Sequence, residues 1–258
     1  MRLYLKYASI ILRSQMQYKV SFCMSAIGQF LISFTALLGI YFMFYRFRSL
    51  NGFTFPEVLL CFAVILTAFS LSECFVRGFD AFSSIISNGE FDRILVRPRN
   101  EIFQVLASRI EFARIGRMAQ AVAMFVYAVH YSGIEWTSSK ICTLIFMLLG
   151  GIAVFSGLFI VYASLCFFTT EGLEFMNILT DGAREFGRYP FSIYGEGVLK
   201  FLTYVIPLAL FQYYPFLYII GKSENTYYMF LPLLSMLFLI PCLIFWRVGL
   251  SRYKSTGS

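Results

Sequence analysis

Six apolar runs, separated by short polar or basic segments, constrain the fold of this chain more than any other feature. They cover residues 20–45, 55–76, 110–131, 141–168, 198–220 and 226–246. A hydrocarbon core of ~30 Å requires about 20 helical residues, which five of the runs supply easily. The clean apolar part of the third run, Met118–Tyr131, has only 14 residues. We therefore expect it to include Ile110–Arg117, with Arg114 and Arg117 reaching the lipid headgroups. The sequence predicts an all-α polytopic membrane protein with six transmembrane helices, in one domain of residues 1–258.

Composition excludes the soluble alternatives. Hydrophobic residues make up 59% of the chain and charged residues 14%, against roughly 45–50% and about 25% in soluble domains. A soluble fold of this length cannot bury so much apolar surface. The net charge of +7 would suggest nucleic acid in a soluble protein, but in a membrane protein it marks cytoplasmic loops. We expect membrane lipids as partners, and no nucleic acid.

The distribution of basic residues predicts the orientation. With the N-terminus in the cytoplasm, 17 of the 21 Lys and Arg residues lie in inner segments. The outer loops keep Arg46, Arg48, Lys140 and Lys222. The positive-inside rule therefore places both termini in the cytoplasm.

Residues 1–19 have the pattern of an amphipathic helix lying in the membrane interface. Basic and apolar side chains fall on opposite faces of a helical wheel. The basic face carries Arg2, Lys6 and Arg13, and the apolar face carries Leu3, Tyr7, Ile10 and Ile11. The alternative is an irregular basic tail.

Catalytic signals are weak. The single histidine, His130, has no second imidazole to form a metal pair, so we expect no metal site, no catalytic residue and no cofactor in this chain. A complete phosphate-binding loop is also missing, so an ATP-driven role requires a separate subunit. Glu73 and Arg77 are four residues apart in the second run, and we interpret them as a pair that neutralises itself at the interface.

The cytoplasmic loop 77–109 contains a short predicted helix, Glu90–Arg97. Asn88 and Gly89 form a turn signal before it, and Pro98 ends it. Acidic residues near the start and basic residues near the end suit a helix dipole. These charges are Glu90, Asp92, Arg93 and Arg97, and the apolar patch is Phe91, Ile94 and Leu95. Such a helix fits a groove on a partner protein; the alternative is a helix lying flat on the lipid.

Three short motifs resemble a known family. The run from Gly89 to Pro98, the segment from Tyr189 to Tyr194, and Val205–Pro207 with Tyr213–Pro215 look like permease subunits of the type-two ABC exporter family, closest to its bacterial branch of six-span permeases. The resemblance implies two cytoplasmic ABC ATPase subunits that bind ATP and Mg, and a second permease subunit in a homodimer or heterodimer. It also implies an interfacial N-terminal helix and a coupling helix at Glu90–Arg97.

The last two runs are rich in proline, which bends membrane helices and frees carbonyl groups. We predict helix-bending or exit-lining roles for Pro207, Pro215, Pro232 and Pro241. Gly150 and Gly151 predict close helix packing. A further cytoplasmic helix is predicted from the helical spacing of Leu173, Met176 and Leu179, ending at Tyr189-Pro190.

The resulting hypothesis is the transmembrane subunit of an ATP-driven exporter in the bacterial plasma membrane. An aromatic, nearly uncharged membrane region suits an amphiphilic or apolar substrate such as a drug, a peptide or a lipid-like molecule. Two alternatives stay open at this point: a non-transporting scaffold or sensor subunit, and a secondary carrier, for which inverted repeats and midplane acids would be expected. The substrate and the identity of the second permease do not follow from the sequence.

Overall fold

The computed structural model of the protein describes residues 2–169 and 174–255. In these two ranges the chain is helical without β-strands, as the sequence predicts, apart from one isolated bridge between Leu50 and Phe53. In the N-terminal half the α-helices are α1 (Arg2–Gln17), α2 (Lys19–Arg46), α3 (Phe55–Asp80), α4 (Phe82–Ser87), α5 (Glu90–Leu95), α6 (Glu101–Ser108) and α7 (Ile115–Tyr131). In the C-terminal half they are α8 (Ser138–Thr169), α9 (Glu174–Phe186), α10 (Glu196–Tyr204), α11 (Leu208–Phe211), α12 (Tyr213–Ile219), α13 (Leu231–Ser235) and α14 (Leu239–Arg252). Short 3₁₀ helices cover Phe112–Arg114, Phe191–Tyr194, Thr226–Met229 and Met236–Phe238.

Four helical runs of the described residues are long and apolar enough to cross a membrane. They are Lys19–Arg46, Phe55–Ser87, Ser138–Thr169 and Leu231–Arg252. A bent pair of helices, Glu196–Tyr204 and Leu208–Ile219, is a fifth candidate. α7 has 17 residues, or about 26 Å at 1.5 Å per residue, slightly less than a ~30 Å hydrocarbon core. A polytopic membrane protein fits these lengths, and the count of six spans stays a prediction.

α3 is the central helix of the bundle. In its apolar run 83% of residues are buried, against 11% for α2 at the periphery. A capping box begins α3, since the Thr54 amide donates to Glu57 Oε2 at 2.7 Å. α7 and α8 pack along α3 on two sides, and α13 and α14 cover α8. The core of the molecule therefore lies around α3 and α8.

The predicted outer loops meet at one end of the bundle. Lys222 donates to the Gly52 carbonyl at 2.6 Å and lies 3.7 Å from the centre of the Phe53 ring. Nearby, the Tyr218 hydroxyl donates to Ser139 Oγ at 3.2 Å. α1, the segment 77–109 and the C-terminal residues meet at the opposite end. This grouping matches the predicted topology, and which end faces the cytoplasm stays a prediction.

The N-terminal helix packs on the end of the bundle that also carries α6. Tyr4 donates to the Phe75 carbonyl at 3.0 Å, and its ring is 6.3 Å from that of Phe103. Burial, with a smaller contribution from Cys74, raises the pKa of Tyr4 to about 12, so the hydroxyl stays protonated and keeps donating. The helix predicted at 1–19 is therefore present as α1, with Met1 outside the described residues. Its position in a lipid interface stays a prediction.

The fifth predicted span needs a correction, because residues 198–220 do not form one continuous helix. α10 ends at Tyr204, and the axis turns by 87° before α11 and α12. Pro207 lies at this break and has no N–H to continue the helical ladder. Gln212, fully buried between α11 and α12, donates to the Gly187 carbonyl and to Cys61 Sγ, so the break is bonded to α3 and to the residues after α9.

Of the other three prolines, Pro232 lies in the first turn of α13, where a missing N–H costs no intrahelical hydrogen bond. Pro215 and Pro241 lie inside the helical runs Leu208–Ile219 and Leu231–Arg252, each at the third residue after a break in the α-helix. Their missing N–H interrupts the helical ladder at these breaks. The last span is predicted at 226–246, whereas the apolar helical run in the structure is Leu231–Arg252. This run contains a short 3₁₀ segment. An exit-lining role for any of the four prolines stays a prediction.

Small residues allow the closest helix contacts, as predicted for Gly150 and Gly151. A Cβ at Gly151 would lie 2.6 Å from the Ala68 Cβ, and one at Gly150 would lie 2.7 Å from the Pro232 carbonyl oxygen. Both distances are too short for any side chain, so α8 approaches α3 and α13 through these glycines.

Candidate functional site

The predicted coupling helix is present as α5, two residues shorter than Glu90–Arg97. Gly89 adopts φ 69° immediately before it, the left-handed conformation that glycine takes most easily. After α5, Asn100 caps α6 by accepting from the Phe103 amide at 3.1 Å. Gln104 of α6 donates to the carbonyls of Ile94 and Arg99, each at 3.0 Å. α5 therefore has a fixed orientation on the end of the bundle.

The apolar patch predicted for partner binding is only partly available. Phe91 is fully buried and Ile94 is half-buried against the core, whereas Leu95 is 44% exposed and Val96, just after the helix, is 82% exposed. The prediction that Phe91, Ile94 and Leu95 together enter a partner's groove is wrong for Phe91. A helix packed on a bundle must bury one face, and the largest apolar side chain takes that position.

Phe91 belongs to an aromatic cluster that joins α5 to three other elements. Its ring centre lies 5.1 Å from Phe82 of α4, 5.4 Å from Phe167 of α8 and 5.0 Å from Tyr253 after α14. Trp246 of α14 completes the cluster, 5.0 Å from Phe82 and 4.9 Å from Phe167. Edge-to-face aromatic pairs are each worth roughly 0.5–1.5 kcal/mol beyond the burial of their area. α5 is thus continuous with the core of the bundle.

Asp92 also faces the protein itself. Its carboxylate accepts from the Tyr253 hydroxyl at 3.0 Å and from Ser255 Oγ at 2.6 Å. The charged side chains that face outwards from α5 and its C-terminal end are Glu90, Arg93 and Arg97, all exposed. Of the predicted coupling residues, these three and Leu95 lie where a partner could contact them.

A groove of about 380 Å³ runs between α1, α5 and α6 beside these charges. Leu3 and Tyr7 of α1 and Phe103 of α6 line it, and the rings of Tyr7 and Phe103 lie 6.4 Å apart. Its charged side chains are Glu90, Arg93, Arg97 and Arg99, an excess of two positive charges. We call this surface the basic groove. Its charge favours a partner segment that carries acidic side chains.

The predicted Glu73–Arg77 pair is one part of a larger ion-pair cluster. Arg77 Nη1 lies 2.9 Å from Glu73 Oε1, as the spacing predicts. Glu73 is also paired with Arg117 of α7 and, at 3.3 Å, with Arg114 from the 3₁₀ helix before α7. Only 4% of Glu73 is exposed. This carboxylate therefore connects α3 to the start of α7 inside the bundle.

Arg114 and Arg117 do not reach the lipid headgroups, so that prediction is wrong. They are 7% and 6% exposed and turn inwards onto Glu73. The physical reason is that a buried carboxylate requires a paired cation, and the two arginines lie opposite it on the neighbouring segment. The sequence contained this signal, because Glu73 is the acid within an apolar run that faces two basic residues at the start of another.

Glu111 is a residue of the cluster that the sequence analysis missed. It lies 2.9 Å from Arg114 Nη2, 3.3 Å from Arg109 Nε and 3.6 Å from Arg77 Nε. Arg77 Nε is additionally paired with Asp80 at 3.0 Å. Four arginines thus share three carboxylates, and the cluster links the ends of α3, α6 and α7.

A polar cavity of about 200 Å³ opens beside this cluster, between α3, α8 and α9. The further predicted helix is present here as α9, and Leu173 of that prediction lies outside the described residues. Arg184 of α9 lies 5.0 Å from the centre of the Phe69 ring on α3. The cavity is lined by Phe69, Glu73, Arg77, Asp80, Phe159, Tyr162, Thr180 and Asp181.

A larger groove of about 460 Å³ lies between α2, α3 and α7. Gln120 is its one strongly polar lining group, and it is already bonded to Ser33 of α2. Aromatic side chains dominate the rest, and the lining comprises Phe30, Phe34, Leu37, Leu38, Tyr41, Phe55, Leu59, Gln120, Ala123, Met124 and Tyr127. We call this surface the aromatic groove.

Comparison with known proteins identifies the family. The model of a family described as ABC-2 family transporter protein matches residues 30–257, which is most of the chain. This match confirms the resemblance carried by the motifs at Gly89–Pro98 and Tyr189–Tyr194. No curated protein and no solved structure matches the chain significantly.

Proposed function

Because the chain belongs to the ABC-2 transporter family, we propose that it is the permease subunit of an ATP-driven exporter in the bacterial plasma membrane. In this proposal two cytoplasmic ABC ATPase subunits bind and hydrolyse ATP with Mg, and a second permease subunit completes the membrane part. Both termini face the cytoplasm, so the basic groove and α5 lie on the side where the ATPases are.

The observation that carries the proposal is the double attachment of α5. Its outer face presents Glu90, Arg93 and Arg97 beside the basic groove, and its inner face places Phe91 in the aromatic cluster with α8 and α14. A partner that displaces the outer face of such a helix also displaces the membrane helices packed against its inner face. Interfaces and packed cores of this kind switch between discrete arrangements, which is what a pump requires.

The aromatic groove supports the proposed substrate class. Its lining is apolar except for the hydroxyls of Tyr41 and Tyr127 and for Gln120, whose amide already has a partner. Apolar pockets with few free polar groups bind apolar surface and disfavour small ions, whose hydration they cannot replace. An amphiphilic or apolar molecule, such as a drug, a peptide or a lipid-like compound, fits this environment.

The proposal is tested by purifying tagged protein from its native membranes in mild detergent and assaying the eluate for ATP hydrolysis. We expect an ATPase to co-purify, together with a second permease if the membrane part is heterodimeric. To test that the association is specific, the double variant R93E/R97E should bind the ATPase about tenfold more weakly and remain folded. Folded permease with no nucleotide-binding partner would contradict the proposal and favour a scaffold or a secondary carrier.

A further inference from the structure

The residues after α14 bind the coupling helix directly. Tyr253 and Ser255 each donate one hydrogen bond to Asp92, one to each carboxylate oxygen, at 3.0 Å and 2.6 Å. Bonds to a carboxylate are stronger than neutral ones, roughly 1.5–3 kcal/mol each in net terms. The contact joins residues that are more than 160 positions apart in the chain. We call residues 253–255 the C-terminal tail.

The start of the tail and the end of α14 also share the aromatic cluster of α5. The ring of Tyr253 meets that of Phe91 edge to face, at 5.0 Å and 88°. About one helical turn before Tyr253, Gly249 allows α14 to approach α8 closely, since a Cβ at this position would lie 2.5 Å from Phe167 Cδ2. Trp246 is fully buried in the same cluster. α5 and the end of α14 therefore pack as one unit.

The neighbouring helices α3, α6 and α7 are also tightly packed on one another, and α3 contacts α14 through Phe79, whose ring lies 5.3 Å from that of Trp246. A Cβ at Gly78 of α3 would lie 1.8 Å from the Val105 carbonyl oxygen of α6, and the Glu73 cluster binds α3 to α7. α5 is connected to α3 through α4, with turns at Ala81 and Gly89. A movement of α5 relative to α3 can be absorbed at these turns once the hydrogen bond from Gln104 of α6 to the Ile94 carbonyl breaks. The two hydrogen bonds of the C-terminal tail and the Phe91–Tyr253 ring contact hold α5 to α14.

We propose that Tyr253 and Ser255 are positioning residues that tie α5 to α14, so that movement of α5 displaces the last predicted span. This inference rests on the proposed function, because the movement of α5 is supplied by the ATPase. Asp92 is then the receiving group of the tie, and it is no part of the surface that the ATPase contacts. Contact with the ATPase is made by the exposed residues Arg93 and Arg97.

The tie is tested first in the permease alone, without any ATPase. In a cysteine-free background, spin labels are placed at Val96 and Ile244, which are 82% and 57% exposed. We expect a narrow distance distribution in the parent and a broadened one in Y253F/S255A. The control is Ser251→Ala, since Ser251 donates to the Val248 carbonyl within α14 and, among the described residues, to no other group. An equally narrow distribution in Y253F/S255A overturns the proposal, whatever the ATPase does.

The consequence is tested in the purified complex. Labels at Val126 of α7 and Leu237 of the last predicted span report on a region remote from the tail. We expect ATP with vanadate to shift this distance in the parent and in Ser251→Ala. The shift should be lost in Y253F/S255A, although this variant still hydrolyses ATP when vanadate is left out. A shift of parental size in Y253F/S255A overturns the proposal.

Failure of the proposed function can be distinguished from failure of the proposed link between α5 and α14. Absence of a co-purifying ATPase contradicts the proposed function, and the measurement on the permease alone still decides the tie. A complex that hydrolyses ATP and shifts normally in Y253F/S255A contradicts the tie and leaves the proposed function intact.

Discussion

Glu73 of α3 and Arg117 of α7 form an ion pair in the interior of the protein, with only 5% and 7% of their side chains exposed. Within the described residues Arg117 has no second ion-pair partner, so its charge depends on this carboxylate. The pair fixes how α7, a helix of only 17 residues, packs on the central helix. Under the proposed function, the pair is part of the framework against which α5 moves.

Glu73→Gln is expected to destabilise the protein by about 3–5 kcal/mol, because it leaves buried arginines without their compensating charge. The measurement is thermal unfolding in detergent. Glu196→Gln is the matched control, since Glu196 and its partner Lys200 are 90% and 71% exposed, and such surface pairs contribute about 0–1 kcal/mol. Adding Arg117→Gln to Glu73→Gln should recover part of the loss. Equal melting temperatures for the two single variants would contradict the account.

Phe91→Ala should cost about 3–5 kcal/mol, because it opens a cavity in the aromatic cluster. Val96→Ala, at an 82% exposed neighbouring position, should change stability by no more than about 0.5 kcal/mol. Chemical unfolding of the two variants provides the comparison. If Phe91→Ala were as stable as Val96→Ala, Phe91 would have to be a surface residue that contacts the partner.

Gly116→Ala is expected to disrupt the packing of α7 on α2, since its Cβ would lie 2.0 Å from the Ala26 carbonyl oxygen. Gly39→Ala on α2 has open space around it, and it should stabilise the helix by roughly 0.5–1 kcal/mol. The two substitutions therefore have opposite signs. Unfolding temperatures measure both, and a stabilising Gly116→Ala would show that α2 lies farther from α7.

The double variant R93E/R97E is expected to weaken binding of the ATPase by about tenfold or more, because it reverses the charge of the basic groove. Stability should stay within about 0.5 kcal/mol of the parent, since both side chains are exposed. The control is Arg13→Glu, an exposed α1 residue that does not line the groove. Quantitative co-purification measures the effect. Equal losses in both variants would indicate a general charge effect and not a specific surface.

Much of the fold follows from sequence pattern alone. The apolar runs, the turn at Gly89 and the close packing at Gly150 and Gly151 depend on local composition or backbone freedom, and the structure contains each of them. The break at Pro207 was predictable as a bend, but its angle was not. That angle depends on the buried bonds of Gln212 to distant residues.

The candidate site was predictable in position and less so in detail. A capped helix at 90–97 followed from charges and turn residues, but amphipathicity cannot tell whether its apolar face meets a partner or its own bundle. The long-range bonds of Asp92 to Tyr253 and Ser255 have no local signal. The inward turn of Arg114 and Arg117 could have been inferred from Glu73, since a buried acid requires a cation.

The most direct test of the central claim is photo-cross-linking in native membranes from position 96, at the end of α5. A photoreactive amino acid replaces Val96, and another replaces Tyr45 at the opposite end of the bundle as a control, both sites being 82% exposed. We expect position 96 to capture an ATP-binding subunit, identified by mass spectrometry, and position 45 to capture none. Capture of such a subunit only from position 45, or from neither position, would contradict the central claim.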